Sequence, residues 1–519
     1  MWTKAPHSHS TLPPVTSHNN LTDNKIPIIT THHCQLKSAP LDKQGPPNGQ
    51  DLYETVLPWW RAIVRARILS YVEQESQIMA RMQARLIFFI TKFIHDFLQG
   101  YIRHPWLDAY FLYSSTVGTQ TFFMIGLPLL FFFGYDELGR GLVIVLASGV
   151  YLVSFMKDLF CAPRPFSPPV TRLTIGTHHL EYGFPSTHST NSVSMALFIF
   201  SYVRDAYIQS AISSSIYHLS CAILMLYAVT IVFGRLYTGM HSTIDCVFGV
   251  FLGISVWGAY VALKETIETW LQSGQWIVPL TVIPVCLLLV HYHPQPVDDC
   301  PCFEDAIAFV SVILGVVLCR WHSVYSGVDE RFLGSVMPGP RGTVWSWEDT
   351  ASWWALACAK VTVGILAIFV WRLLAKSLLH LTLPPLFRIL ASCFELPHRR
   401  FYTPATDYRH MPVESSLRPI PSVIDLPGVL EVSGVKEKSV SSQVKRRGAK
   451  SNNGLLADED SNCSGSELES SNGPSQHKEV KHYDADVLTK VVVYAGIAIV
   501  AVECLPITFA LLGWGVKPW

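Results

Sequence analysis

Charged residues are scarce in this sequence. They account for 15% of its 519 residues, whereas soluble proteins carry about 25%. The formal net charge is zero, and half of all residues are hydrophobic. The composition therefore excludes an ordinary soluble enzyme and provides no overall positive field for a nucleic acid partner. It predicts a polytopic membrane protein.

Two further patterns are missing. The 12 cysteines are scattered, and several lie within apolar runs, as Cys221 and Cys286 do, which is typical of small buried side chains and not of a disulfide framework. Cys300 and Cys302 share a short loop and have the proximity of a redox or metal pair, although we expect a structural role. The N-terminus lacks an apolar stretch followed by a small-residue cleavage site, so we expect no cleavable signal peptide.

Long apolar runs predict an all-α fold, a polytopic membrane helical bundle of eight to nine transmembrane helices. Each span needs roughly 17–25 mostly apolar residues. The candidate spans lie near 109–134, 140–157, 189–204, 216–234, 243–264, 276–292, 303–320, 353–376 and 487–514. Lys and Arg counts do not fix the orientation, because candidate site cations lie in the counted loops. With nine spans, the N-terminus, the 158–188 loop and the long loop lie on the same side of the membrane. If 86–98 also spans, the N-terminus lies on the opposite side.

Composition divides the chain into six segments. Residues 51–106 combine Trp59 and Trp60 with Arg61 and Arg65, which predicts a basic amphipathic helix at the membrane interface. The segments are a disordered tail at 1–50, this interfacial segment at 51–106, a core with the motifs at 107–265, additional transmembrane helices at 266–394, a disordered loop at 395–486 and a C-terminal transmembrane helix at 487–519.

Three polar clusters lie at the ends of predicted spans, where charged residues are costly and by default indicate function. They are Lys157 to Arg164-Pro165, then Pro185-Ser186-Thr187-His188, then Arg235 through His241 to Asp245. Two predicted spans separate the second cluster from the third, so the chain returns to the side that it left. We therefore expect all three clusters to meet on one membrane face.

Three cations would share that site, namely Lys157, Arg164 and Arg235. A guanidinium group can donate two parallel hydrogen bonds to two oxygens of one phosphate, and a lysine adds a point charge. Ser186 and Thr187 begin the next predicted helix, where hydroxyls and unpaired backbone N–H groups suit an anion. These residues predict a phosphate-binding site.

Two histidines remain, the number that a two-step phosphoryl transfer requires. His241 and Asp245 are four residues apart, so on a helix they would share a face, and the carboxylate would fix the imidazole tautomer. We expect His241 to be the nucleophile that becomes a phosphohistidine, Asp245 its orienter and His188 the acid and base. The clusters hold cations but no group of carboxylates, so we predict no metal and no other cofactor.

Each pattern alone has an ordinary explanation as an interfacial anchor, a structural pair or a helix cap. Together they resemble the type 2 phosphatidic acid phosphatase superfamily, whose pattern is Lys-x6-Arg-Pro, Pro-Ser-x-His and Ser-Arg-x5-His-x3-Asp. All three spacings are met between Lys157 and Asp245. The chain departs from the pattern at Thr187, where glycine is usual, and at Gly234, where serine is usual.

Within that superfamily, the segments around Leu107, Lys157, Phe184 and Gly234 look like the sphingosine-1-phosphate phosphatase branch. The likeness is to fungal long-chain-base 1-phosphate phosphatases, over roughly residues 55–380. It implies hydrolysis of a phosphorylated sphingoid lipid, such as dihydrosphingosine, phytosphingosine or sphingosine 1-phosphate. It also implies a multi-pass protein of the endoplasmic reticulum membrane with a lumenal site.

Two alternatives stay open. The same chemistry would serve another lipid phosphate, such as phosphatidic acid or a polyprenyl diphosphate, and a lipid-binding or transport protein could keep the anion site without catalysis. Sidedness has its own markers, because Asn20 and Asn462 begin glycosylation sequons that only lumenal segments would use.

Overall fold

The computed structural model describes residues 57–94, 105–114, 120–167, 170, 172–173, 181–328, 337, 346–396, 399–408 and 482–515. The predicted tail at 1–50 and both sequon asparagines lie outside these residues. Within them the fold is all-α, as predicted, and the one β-type contact is an isolated bridge between Thr403 and Tyr483.

The described residues contain eleven helices. They are α1 (Trp59–Ile94), α2 (Pro105–Ser114), α3 (Gln120–Phe132), α4 (Asp136–Phe160), α5 (Thr187–Ile208), α6 (Ser214–Tyr237), α7 (Thr243–Gln272), α8 (Ile277–His291), α9 (Cys302–Ser326), α10 (Trp347–Ala391) and α11 (Asp484–Leu511). The last contains a π-helical turn at Val500–Cys504.

The chain is a multi-pass membrane protein. Among the described helices, α4, α6, α7, α9, α10 and α11 are long and apolar enough to cross a bilayer, and α8 is apolar but shorter at 15 residues. Within the span predicted at 109–134, the described residues lie in α2 and α3, of 10 and 13 residues, and residues 115–119 lie outside the described part of the chain. The count of eight to nine spans therefore stays a prediction.

Helix α5, predicted as a span at 189–204, is not among these six helices, because its first half contains several polar residues. Ser189, Thr190, Asn191 and Ser192 are fully buried. Hydroxyls at these positions satisfy themselves locally or across helices, as when Thr190 Oγ1 donates to the Gly249 carbonyl of α7 at 3.0 Å. Hydropathy alone understates such a helix, since its buried Thr190 and Ser192 hydroxyls are hydrogen-bonded within the bundle.

Helix α9 lies at the centre and packs against α4 and α11. Val150 of α4, Phe309 of α9 and Tyr494 of α11 share one buried cluster. Helix α10 covers α11, where Trp371 Nε1 donates to the Val493 carbonyl at 3.1 Å. These apolar contacts fix the position of α4, whose C-terminal end carries the first motif.

The two ends of the loop predicted at 395–486 belong to the packed structure. Arg399 donates to the carbonyls of Val290 and His293 at 3.3 and 3.0 Å. His482 contacts Asp299 at 3.2 Å. Both ends of the loop therefore lie beside the segment that joins α8 to α9, and residues 409–481 are outside the described part of the chain.

Candidate active site

The first motif begins in the last turn of α4. Cys161 adopts a left-handed conformation with φ of 50° and donates its N–H to the Lys157 carbonyl, which ends the helix. The Lys157 side chain is buried, and its Nζ lies 3.1 Å from Glu181 Oε2. The helix end therefore directs one cation into the interior.

Arg164 lies in the loop that follows and is held on three sides. Its Nε donates to the Glu181 carbonyl at 3.0 Å, its Nη1 to the Met240 carbonyl at 3.3 Å and its Nη2 to Glu181 Oε2 at 3.2 Å. Burial lowers the pKa of this arginine although Glu181 and Asp245 raise it, and a guanidinium remains charged under any such shift. Arg164 thus brings a fixed positive charge next to the third motif.

The second motif opens α5. Ser186 is the fully buried N-cap, and its side chain accepts a hydrogen bond from the Ser189 N–H at 3.4 Å. Thr187 is the first helical residue and His188 follows it, both half-buried. These residues therefore lie at the positive end of the α5 dipole, where the first-turn N–H groups also lie.

The third motif runs from the end of α6 to the start of α7. Arg235 lies in the last turn of α6 and is buried. The turn that follows contains Gly239 with φ of 67°, and Ser242 caps α7 through its side chain while Asp245 accepts from the Ser242 N–H at 2.8 Å. This reciprocal capping box fixes the loop that carries His241.

The predicted helical pairing of His241 with Asp245 is wrong in its premise. Helix α7 begins at Thr243, so His241 lies before the cap and not on the helix. Its Nδ1 is 3.7 Å from Asp245 Oδ2, beyond ordinary hydrogen-bond length, but 2.9 Å from the Gly183 carbonyl. A carbonyl only accepts, so Nδ1 carries the proton and Nε2 carries the lone pair.

Gly183 is a site residue that the sequence reasoning missed. A Cβ on this residue would lie 2.8 Å from the Pro163 carbonyl oxygen and 2.9 Å from Arg164 Cα, so the first and second motifs touch backbone to backbone here. The Gly183 N–H also donates to the Ala162 carbonyl at 2.8 Å. A glycine directly before Phe-Pro-Ser was the available signal.

Close packing of α5 on α7 brings the second and third motifs together. Gly249 and Gly253 lie four residues apart on α7, and Cβ atoms there would come within 2.8 Å of the Ser186 carbonyl and 2.6 Å of the Thr190 carbonyl. Small residues at this spacing let two helix backbones approach closely. The Ser186 N–H consequently donates to the Asp245 carbonyl at 3.1 Å.

All three motifs therefore converge. Burial lowers the pKa of His241 well below its usual value, and the positive charges of Arg164, Arg235 and Lys157 lower it further, with a contribution from His188. A shared electrostatic environment of this kind means that the residues form one site. At neutral pH the imidazole is therefore uncharged and keeps its Nε2 lone pair.

One buried donor in this site is unsatisfied. Arg235 is 6% exposed, and its Nε has no hydrogen-bond partner among the described residues. A buried donor without an acceptor is costly. An anion bound against Arg235 Nε would satisfy it.

The departure from the family pattern at Gly234 has a packing reason. A Cβ at this position would meet Phe111 Cδ1 at 3.2 Å. Phe111 of α2 also packs on Tyr237, with ring centroids 4.6 Å apart, and Tyr237 donates to Asp108 of α2 at 2.7 Å. The glycine therefore lets α2 pack closely on the end of α6 that carries Arg235.

Helix α1 supports the site, which the composition of 51–106 did not indicate. Arg61 and Arg65 are buried, and Arg61 donates to the Asp158 and Leu159 carbonyls at 2.7 Å each. Glu75 accepts from the Thr243 N–H at 2.8 Å. The arginines predicted at the membrane interface thus face the protein, and the interfacial placement of the helix stays a prediction.

One group of described residues has the proximity of metal ligands, namely Asp158, Cys300 and Cys302. The two cysteine sulfurs are joined in a disulfide, which removes them as thiolates. Asp158 Oδ2 also lies 3.0 Å from His293 Nε2. This group therefore does not fit a metal in its disulfide form, and the proposed phosphate site itself brings cations together.

Known proteins resemble this chain over the region that contains the three motifs. A family model described as the PAP2 superfamily matches residues 139–268. A dihydrosphingosine 1-phosphate phosphatase of Schizosaccharomyces pombe is 34% identical over 295 residues, covering 56% of this chain and 68% of the relative. A dihydrosphingosine 1-phosphate phosphatase of Saccharomyces cerevisiae is 30% identical over 348 residues, covering 65% and 75%.

A plant protein, lipid phosphate phosphatase delta of Arabidopsis thaliana, is 33% identical over 54% of this chain and 64% of the relative. No solved structure gives a significant match. The aligned fungal relatives extend well beyond the motifs, and the predicted recognition is confirmed. The chain belongs to the PAP2 superfamily, in its sphingosine-1-phosphate phosphatase branch.

Proposed function

We propose that this chain is an integral-membrane phosphatase that hydrolyses sphingoid long-chain base 1-phosphates to the free base and phosphate. The observation that carries the proposal is a neutral, buried His241 whose Nδ1 is bonded to the Gly183 carbonyl, among the cations of the two other motifs. Fixed donors around a held nucleophile suit a phosphoryl group that must be both bound and attacked.

Phosphate binding falls to the cations and the start of α5. Arg235 of the third motif contributes its unsatisfied Nε, and Lys157 and Arg164 of the first motif contribute positive charge. Ser186 and Thr187 place the N-terminal end of α5 behind the anion. Charge that develops on the phosphoryl oxygens is thereby stabilised by groups already in position.

His241 is the proposed nucleophile. Its Nε2 lone pair attacks phosphorus, a nitrogen–phosphorus bond forms and the bond from phosphorus to the lipid oxygen breaks. The imidazole becomes positively charged, and the Gly183 carbonyl and the Asp245 carboxylate at 3.7 Å stabilise it from the Nδ1 side. Asp245 would thus act through charge and through its cap of α7.

His188 is the proposed acid and base. It gives a proton to the departing lipid oxygen, then takes one from a water that attacks the phosphohistidine, which restores both histidines and releases phosphate. Its position one residue into α5, half-buried, supports this role because the group has to meet both the lipid and water.

The lipid substrate is proposed from the names of the fungal relatives. The plant relative carries the broader description of a lipid phosphate phosphatase, so phosphatidic acid is the substrate to exclude. Detergent-purified protein is expected to release phosphate from dihydrosphingosine 1-phosphate with and without EDTA, and His241→Ala to abolish release. Normal turnover by His241→Ala would contradict the mechanism, and a preference for phosphatidic acid or a polyprenyl diphosphate would contradict the substrate.

We also propose the endoplasmic reticulum membrane, with the active site on the lumenal face. Arg399 and His482 flank the segment 409–481 and both contact the segment between α8 and α9, which also contacts Asp158 at the active-site end of α4. Asn462 lies in the segment 409–481, so its glycosylation in cells would support a lumenal site. The proposal would be contradicted if Asn462→Gln left the electrophoretic mobility of the protein unchanged and if protease added from the cytosolic side cleaved the segment 409–481.

A further inference from the structure

Glu181 is an acid where the proposed function calls for an anion site. Its Oε2 lies 3.1 Å from Lys157 Nζ and 3.2 Å from Arg164 Nη2. Its side chain is 20% exposed, whereas those of the two cations are 5% exposed. The carboxylate is therefore more accessible to solvent than the two cations with which it pairs.

The charge of Glu181 extends over the whole cation group. It interacts electrostatically with Arg164 and with Arg235 as well as pairing with Lys157. Its backbone is held separately, because the Glu181 carbonyl accepts from Arg164 Nε at 3.0 Å. The side chain can therefore leave the cations while the residue stays in place.

An incoming phosphate competes for the same donors. Once the phosphoryl oxygens take Lys157 and Arg164, the Glu181 carboxylate is displaced but remains next to a dianion, and like charges so close repel strongly in a partly buried site. This cost falls if the substrate itself carries a positive charge between the two anions.

A sphingoid base 1-phosphate has such a charge, because the carbon adjacent to the one that carries the phosphate ester bears a protonated amine. Phosphatidic acid has none. Resting on the proposed function, we propose that Glu181 is a specificity-determining residue whose carboxylate receives the ammonium group of the substrate after the phosphate displaces it from Lys157 and Arg164. The same contact then favours amine-bearing headgroups over all other lipid phosphates.

A simpler role for Glu181 is that it only occupies the anion site of the resting enzyme. The two roles differ in one measurable ratio. As a mere occupant, Glu181 would weaken the binding of every phosphate equally. As an ammonium receptor, it would favour the amine-bearing ligand alone, because a hydrogen bond between two charged groups contributes only when both charges are present.

The test uses two matched ligands and the full-length protein in detergent. They are the non-hydrolysable phosphonate analogue of dihydrosphingosine 1-phosphate and its N-acetyl counterpart, which has the same chain and phosphonate but no ammonium. Dissociation constants are measured by calorimetry for the wild type, for Glu181→Gln and for the control Glu137→Gln. Glu137 lies at the other end of α4, is 63% exposed and pairs with Lys264.

The wild type and Glu137→Gln are expected to bind the free amine about tenfold to a hundredfold more tightly than the N-acetyl analogue. Glu181→Gln is expected to bring that ratio close to one. An unchanged ratio in Glu181→Gln, or no preference in the wild type, would overturn the proposal. Phosphate release from dihydrosphingosine 1-phosphate is scored separately, so a protein that binds with this preference but does not hydrolyse would refute only the proposed function.

Discussion

The substitution Gly183→Ala tests how closely the catalytic imidazole is held. An added Cβ would lie 2.8 Å from the Pro163 carbonyl oxygen and 2.9 Å from Arg164 Cα, both backbone atoms that cannot rotate away. Ordinary contact therefore requires the two segments to separate by about half an ångström. The Gly183 carbonyl moves with its residue, and its 2.9 Å hydrogen bond to His241 Nδ1 lengthens toward the limit of such bonds.

The expected result is a fall in kcat of about tenfold or more, because displacements near 1 Å can cost a hundredfold in rate. Overpacking should also lower stability by about 1–3 kcal/mol. Phosphate release from dihydrosphingosine 1-phosphate gives kcat and KM, and a rapid base quench with labelled substrate gives the phosphohistidine yield. Thermal unfolding in the same detergent shows whether the variant is folded.

Gly258→Ala is the matched control. Gly258 also lies within the family-matched range, on α7, but a Cβ there would have nothing within 4 Å. It should leave kcat unchanged. If Gly183→Ala is folded and keeps the wild-type kcat, the Gly183 carbonyl does not position His241, and the tautomer assigned from it is unsupported.

Three further changes address charge. Arg235→Lys keeps the positive charge but loses the fork that carries the unsatisfied Nε, so kcat/KM for the same lipid should fall by about a hundredfold, with little change in melting temperature. Lys157→Gln removes a cation that lowers the pKa of His241, so that pKa should rise and the acid limb of a kcat/KM–pH profile should move to higher pH. An acid limb that did not move would contradict the electrostatic interaction between Lys157 and His241. Burial lowers the pKa of His482, but hydrogen bonds to Asp299 and a second carboxylate outweigh it and raise the pKa to about 9. Because the folded-state pKa exceeds the unfolded value of about 6.5, this histidine stabilises the fold fully below that pH and loses the contribution as pH rises through about 9. His482→Gln should therefore flatten the dependence of melting temperature on pH between those values, and an unaltered slope would contradict the ion pairing.

The sequence was sufficient for the fold class and for the convergence of the motifs. Apolar runs are dictated by the bilayer, so they can be counted along the chain, and chain order determines which loops share a face. Lys157, Arg164 and Arg235 were found because charge is expensive at such positions. Boundaries were harder. Helix α2 begins at Pro105, before the run predicted at 109–134, and the buried polar residues of α5 face α7, as the Thr190 hydrogen bond to Gly249 shows.

The partners of His241 could not be predicted from spacing. An interval of four residues describes a helical pair only if both residues are helical, and the cap at Ser242 excludes His241 from α7. The group that accepts the hydrogen bond from its Nδ1–H is the backbone carbonyl of Gly183, which has no side-chain signature. Glu181 was missed for a similar reason, since a single acid in a loop has no spacing relation to the motifs. Tertiary contact alone reveals both.

Helix α1 lies outside the family-matched range of 139–268, yet it contacts two of the three motifs. Its other face exposes Trp59, Ile63 and Ile78. A fragment limited to the matched range would keep every proposed catalytic residue and lose the buttress at Asp158 and at the start of α7. Because Arg61 holds the Asp158 carbonyl and Glu75 holds the Thr243 N–H, a displacement of α1 would strain the first and third motifs together.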